Sequence, residues 1–303
     1  MTALPANSSA GMLEDMARKL EASGDYKVLR RLVPHTVDQA CRREAGRIGL
    51  VIDLETTGLD YERDEVIELG MAKFAYSAED TIAGVLADFH GFQQPSRPIP
   101  TEVSRLTGIT DEMVAGHAID ANAVTAFVDD ANFIVAHNAA FDRRFAERCW
   151  PVFSTKPWVC SMAEIDWKSY GFGSARLPYL LVENGLFHVA HRAVEDCQAV
   201  VRLLALPLPN TNLTALRSLL VRARQVSFRI WAERAPFELK DTLRRRGYRW
   251  SDGSDGSPRA WYIDVAEDRR EAEIRFLKDE IYQREVDIPV RQLTAWDRFS
   301  RRA

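Results

Sequence analysis

The sequence lacks the marks of a secreted, disulfide-built or membrane-embedded protein. Four cysteines occur in 303 residues. Cys41, Cys149, Cys160 and Cys197 show no Cys-x-x-Cys pair and no other metal-ligand spacing. Scattered thiols of this kind fit a reducing compartment, where they are mostly core fillers. No window approaches 18 uncharged apolar residues, and "MTALPANSSAGMLEDMARKL" at the start lacks the apolar segment of a signal peptide. A cytoplasmic protein without membrane contact is therefore expected. Excess charge is missing too: 40 Lys and Arg against 44 Asp and Glu leave a net charge of −4. The chain as a whole is not a polycation, so nucleic-acid binding must rest on local basic patches or on metal ions. There are no internal repeats, and no low-complexity tract beyond the turn-rich "SDGSDGSP" at 251–258.

What is present is ordinary for a soluble globular protein, with 46% hydrophobic and 28% charged residues. The length allows one to three domains, and the patterning suggests three sections. Residues 1–45 read as a helical N-terminal extension. Met12, Leu13, Met16 and Leu20 recur at helical spacing, and Val28, Leu29 and Leu32 form a second short stripe ending at Pro34. Such an extension either packs on the main body or serves as a partner-binding or dimerising arm. Residues 46–208 begin with three β-rich segments, at 47–55, 66–76 and 84–93. A mixed stretch follows at 100–130, then a strand at 132–138 and a helix at 139–149. A short strand near "WVCSM" leads to helices at 177–185 and 192–206. That order implies an α/β fold, a mixed sheet flanked by helices. "PLPNTN" at 207–212 reads as a linker. Beyond it, 213–303 read as a small α+β accessory domain, with strands at 226–232 and 260–265 and helices at 236–246 and 266–284.

The stretch "IDLETTGLD" at 52–60 carries the first chemistry. On a strand, residues i and i+2 project to the same side. Asp53 and Glu55 would therefore point one way while Leu50, Ile52 and Leu54 fill the other face. Two neighbouring carboxylates repel unless a cation lies between them or one keeps its proton. A second candidate is "HNAAFDRRF" at 137–145, where Asn138 suits a helix N-cap and Asp142 falls one turn inside. An acid there also simply complements the helix dipole. The third is "HRAVEDCQAVVRLL" at 191–204. Apolar positions 193, 194, 197, 200, 201 and 204 mark a buried helical stripe. Five helical residues turn the chain by about 500°, so His191 and Asp196 serve one site only if His191 lies in the loop before the helix. Glu195 neighbours Asp196 but points about 100° away.

Taken in order, Asp-x-Glu-Thr-Thr-Gly, His-Asn-x-x-Phe-Asp and His-x4-Asp closely resemble the motifs of the DEDD exonuclease superfamily. The match is to the subset with a catalytic histidine, with DnaQ-like and RNase T-like members. The resemblance covers about 46–206 and includes the spacer "SRLTGITDEMV" at 104–114, where Thr107 stands at a position that often holds His in the family. It implies a ribonuclease H-like fold and a metal-dependent 3′→5′ exonuclease. Asp53, Glu55, Asp142 and Asp196 would bind two Mg²⁺ or Mn²⁺ ions, and His191 would act as general base. Thr56 and Gly58 would bring backbone N–H groups to the terminal nucleotide. Leu106 and Phe141 would stack or wedge against bases, or else pack in the core. The partner would be the 3′ end of single-stranded nucleic acid, DNA favoured over RNA. A homodimer and a polymerase partner are both compatible with the family pattern. The alternatives are a 3′→5′ exoribonuclease and a non-catalytic nucleic-acid-binding subunit on the same fold. In the last section Arg244, Arg245, Arg246 and Arg249 interleave with Tyr248, Trp250, Trp261 and Tyr262. That mixture suits either nucleic-acid contact or a packing and dimerisation module.

Overall fold

The structure is a computed structural model that describes residues 6–33, 46–188, 191–254 and 256–302. Pro34, the Val189–Ala190 pair ahead of His191, Cys41 and Asp255 lie outside the described residues. Among the described residues, no helix is long and apolar enough to cross a membrane.

Helix α1 (Ala6–Ala22) leads the chain. Its expected apolar stripe does not pack on the main body: Met12, Leu13, Met16 and Leu20 are 43% to 62% exposed. The helix is held from its polar side instead, where Arg30 reaches Glu14 at 2.8 Å and Glu21 at 3.0 Å. The second stripe, by contrast, is not helical. Strand β1 (Arg30–Arg31) pairs in parallel with β7 (Leu186–Phe187). The amides of Arg30 and Leu32 donate to the carbonyls of Gly185 and Phe187, so the backbone finds partners across the sheet rather than along a helix.

The central body is a five-stranded sheet in the order β4-β3-β2-β5-β6. Strands β2 (Arg47–Thr56), β3 (Val66–Tyr76) and β4 (Ile82–Phe92) form an antiparallel meander. Strands β5 (Phe133–Ala136) and β6 (Trp158–Cys160) run parallel to β2. A run such as Leu50-Val51-Ile52, at most 1% exposed, is what a central strand covered on both faces requires. Leu50, Ile52 and Leu54 enter one core with Phe145, Phe153 and Trp158. Val51 faces the other, built with Cys197, Val200, Val201 and Leu204. The residues that cover these faces come mainly from α5 (Ala139–Cys149), α6 (Leu177–Glu183) and α7 (Ala193–Ala205). This is the expected mixed sheet flanked by helices.

The prolines at 207 and 209 do end α7, but the next helix stays with the central body. Helix α8 (Ala215–Arg224), capped by Thr214 Oγ1 accepting from Arg217 N, buries Ala215, Leu216, Leu219 and Leu220 in the same core as α7. A second sheet of order β11-β8-β10-β9 then forms from β8 (Ser227–Ala232), β9 (Arg249–Trp250), β10 (Trp261–Ala266) and β11 (Val290–Leu293). Its own core holds Phe228, Ile230, Leu243, Tyr248, Val265, Leu277 and Ile281. The chain then returns to the central body. Arg143, fully buried on α5, donates to the carbonyls of Trp296 (2.7 Å) and Arg298 (2.6 Å) and to Glu147 (2.8 Å). The Trp158 amide donates to Ala295 O, and Arg298 donates to the carbonyls of Ala223 and Gln225. This tail latches the second sheet to the first body.

Candidate functional site

Asp53 and Glu55 project from the same side of β2, as the two-residue repeat requires. Carboxylate oxygens of Asp53, Glu55 and Asp196 all lie within 4.8 Å of one another. A glycine makes this convergence possible. Gly70 sits directly opposite Asp53 across the β2–β3 ladder. A Cβ built on it would lie 2.3 Å from the carbonyl carbon of Ala193. The first turn of α7 therefore rests on bare backbone, and Cys197 Sγ approaches Gly70 O at 3.3 Å. That seating delivers Asp196 to the acids of β2.

Asp142 is 3% exposed at the start of α5, and its Oδ1 accepts from Leu54 N at 3.2 Å. It belongs to the same electrostatic cluster without joining the tight triad. Asn138 occupies the N-cap position as expected, but its side chain makes no capping hydrogen bond.

Asp53, Glu55 and Asp142 resist ionisation. Burial first, then the charges of Asp142, Asp196, Glu55 and Glu68, push Asp53 well above the usual carboxylate range. Burial, then Asp196, Glu68 and Asp142, push Glu55 up to about 8. Burial raises Asp142 to about 7, against the opposing hydrogen bonds from backbone amides. A cluster of oxygen donors that holds surplus protons is suited to hard divalent cations, which replace protons at carboxylates. The donor set fits Mg²⁺ or Mn²⁺ better than a thiophilic metal.

His191 lies in the loop ahead of α7, with a positive φ of 64°. Its side chain is 46% exposed, and Nδ1 stands 3.9 Å from Glu55 Oε1. The direct hydrogen-bond partner of Asp196 is a different histidine: His188 Nε2 lies 2.6 Å from Asp196 Oδ1, with its side chain 5% exposed. The other Asp196 oxygen accepts from Arg192 N. Glu68 was also missed by the sequence reading. It faces Glu55 across the ladder, is 1% exposed, and meets His90 at 2.7 Å, Arg192 at 3.4 Å and the Ala193 amide at 3.3 Å. The available signal was a lone acid inside the apolar run "VIELGMAKFAY". His137 is a structural residue: it bridges Ser161 and the Ala175 carbonyl, and burial lowers its pKa to about 4.

The four expected substrate residues are differently placed. Thr56 is buried and donates to Gly58 O at 2.5 Å, which closes the turn after β2. Gly58 is pressed by Asp64, whose Oδ2 would lie 2.4 Å from an added Cβ, so its bare Cα faces a carboxylate of the protein. Phe141 packs against Phe145, tilted by 48° with centroids 4.9 Å apart, and lines a 240 Å³ cavity with Leu59, Tyr61, Asn138, Ala140 and Arg144. Leu106, on the helix Thr101–Thr107, is 60% exposed. Thr107 ends that helix: its hydroxyl donates to Val103 O and accepts from the Ile109 amide.

A family model described as exonuclease, of the RNase T type, matches residues 50–204, about half the chain. DNA polymerase III subunit epsilon of Treponema pallidum is 32% identical over 160 residues, which cover 50% of this chain and 72% of that protein. The PolC-type DNA polymerase III of Thermotoga maritima is 33% identical over 121 residues, 39% of this chain but only 8% of that polymerase. Among solved structures, a zinc-bound exonuclease I–single-stranded DNA complex from E. coli shares the fold. Its TM-score is 0.51 at 14% identity, over 77% of this chain and 71% of that one.

Proposed function

This chain belongs to the exonuclease family, and on that premise we propose that it hydrolyses single-stranded DNA from the 3′ end, releasing nucleoside 5′-monophosphates. The observation that carries the reading is the convergence of Asp53, Glu55 and Asp196 within 4.8 Å, with Asp142 buried beside them. These residues would hold two Mg²⁺ or Mn²⁺ ions, which when bound supply positive charge against the phosphodiester and acidify water.

The chain's own groups do the rest. His191, on its strained loop, is exposed enough to take the proton of the attacking water at an imidazole nitrogen. Glu55, 3.9 Å away, steadies the imidazolium that results. His188 and Arg192 N fix the two oxygens of Asp196, a positioning role of the sort that supporting hydrogen bonds give to ligating carboxylates. Phe141, at the rim of the 240 Å³ cavity beside Asp142, is suited to stack on a terminal base. DNA is favoured over RNA because the relatives at 32–33% identity are DNA polymerase components.

The test is a single strand labelled at its 5′ end, incubated with Mn²⁺ or Mg²⁺. A ladder shortening from the unlabelled end, abolished by EDTA and by Asp53→Ala, is expected. Immediate release of labelled mononucleotide would reverse the polarity. Degradation that survives both treatments would remove the metal role.

A further inference from the structure

The latch between the two bodies leaves a cleft of about 570 Å³, within the range of ~300–1,000 Å³ typical of ligand sites. One wall comes from the first body, with Tyr61, Arg144 on α5 and Arg222 on α8. The other comes from the second sheet, with Arg249, Trp250 and Tyr262. Five arginines and three acids line it, so the cleft is basic in a chain of net charge −4. The pairs within it are specific: Arg229 and Arg249 share Asp264, at 2.7 Å and 2.8 Å, and Arg298 faces Glu164 at 2.9 Å.

The Trp250 ring is presented rather than packed away, whereas the Tyr262 ring is occupied by Arg229 at 4.6 Å and by Trp231 at 5.0 Å. Trp250 is 51% exposed, whereas Tyr248, two residues earlier, is buried and donates to Glu273. Arg249 lies over the Tyr262 ring at 4.9 Å and is 60% exposed. The mixed basic and aromatic segment thus divides. Arg246 is used internally, against Glu273 and the Phe276 ring, while Arg249, Trp250 and Tyr262 face the cleft.

The cleft also adjoins the cavity beside Phe141. It shares Tyr61, Ala140 and Arg144 with the 240 Å³ cavity that Phe141 lines. Arg144 lies over the Tyr61 ring at 5.1 Å. Its Nε is buried without a hydrogen-bond partner among the described residues. A track therefore leads from Phe141, one residue before Asp142, past the Tyr61–Arg144 stack and into the cleft.

We infer that this cleft holds the upstream part of a single-stranded nucleic acid whose end lies at the acid cluster, with phosphates on Arg144, Arg222 and Arg249 and a base on Trp250. Guanidinium groups meet phosphates, and exposed rings take unpaired bases in any sequence. A duplex would keep its bases stacked inside and leave the Trp250 ring unused. The inference rests on the proposed nuclease reading for its direction, but not for the binding itself.

The test uses the full chain in EDTA, where turnover is absent, and a fluorescein-labelled dT20 and dT3 read by anisotropy. Arg249→Ala and Trp250→Ala should each weaken dT20 by about tenfold, the loss of one phosphate contact or one stacked base, and leave dT3 unchanged. Trp250→Phe should recover most of the affinity, and an abasic 20-mer should bind the wild type about tenfold more weakly than dT20. With Mn²⁺, kcat/KM on dT20 should fall with affinity while turnover of dT3 holds. Unchanged dT20 binding in both variants overturns the inference, as does equal loss on dT20 and dT3. If the wild type binds dT20 through these residues yet hydrolyses neither strand, the cleft stands and the nuclease reading falls.

Discussion

Replacing Glu55 with glutamine should stabilise the metal-free protein, although it removes a residue proposed to be essential. Glu55 is 14% exposed on its side chain and titrates at about 8 instead of 4.5, chiefly because of burial and then because of Asp196, Glu68 and Asp142. A carboxyl with a raised folded pKa binds more protons folded than unfolded. Its cost is therefore absent below about 4.5, grows as pH rises, and is complete above about 8. At pH 7 some two and a half decades of that window have been crossed, at ~1.4 kcal/mol each, which gives a cost on the order of 3 kcal/mol. An isosteric amide avoids it. Thermal unfolding in EDTA should then place Glu55→Gln about 6 °C above the wild type at pH 7, taking roughly 2 °C per kcal/mol for a chain of this size. The gap should narrow to nothing toward pH 4.5. Addition of Mn²⁺ should raise the wild type and leave the variant nearly unmoved. A variant less stable than the wild type in EDTA at pH 7.5, or a gap that ignores pH, would refute the reasoning.

Other expectations follow from single contacts. Gly70→Ala drives a methyl into the backbone of Ala193, so α7 must shift. A loss of about 1–3 kcal/mol in urea unfolding should accompany at least a tenfold fall in kcat, because Asp196 moves with the helix. His191→Ala should lower kcat by about 10²–10⁴-fold, while Mn²⁺ affinity measured by calorimetry stays as in the wild type. Arg143→Met leaves the carbonyls of Trp296 and Arg298 and the Glu147 carboxylate without their buried donor. A loss of about 3–5 kcal/mol is expected, together with faster proteolysis of the tail at 294–302.

The parts of this molecule written in short-range pattern were legible in advance. Strand β3 and helix α5 run over the expected residues: β3 is a nearly uninterrupted buried apolar run, and α5 starts directly after Asn138 and stops before Pro151. The alternation around Asp53 and Glu55 fixed their common direction before any coordinates. The loop position of His191 followed from helical rotation once it was required to share a site with Asp196. Contacts between distant segments were not legible. Gly70 is one residue in an apolar strand, and nothing nearby says that α7 will sit on it. His188 lies three residues before His191, and only the folded turn selects it as the partner of Asp196. Glu68 acquires meaning through Arg192 and Ala193, which are more than 120 residues away. Helix α8 was missed because the prolines before it end a helix without moving the chain to a new body. The exposed side of α1 shows the opposite failure, an apolar stripe whose spacing is right and whose partner is not in the described chain.

The account depends most directly on divalent ions held by Asp53, Glu55, Asp142 and Asp196. Counting Mn²⁺ bound per chain at pH 7.5, from the loss of the free-ion electron paramagnetic resonance signal, measures this without any substrate. Two saturable ions on the wild type, with at least one lost in Asp53→Asn, is the predicted result. A wild type that takes up no Mn²⁺ at millimolar concentration, or a variant that binds as the wild type does, would contradict it.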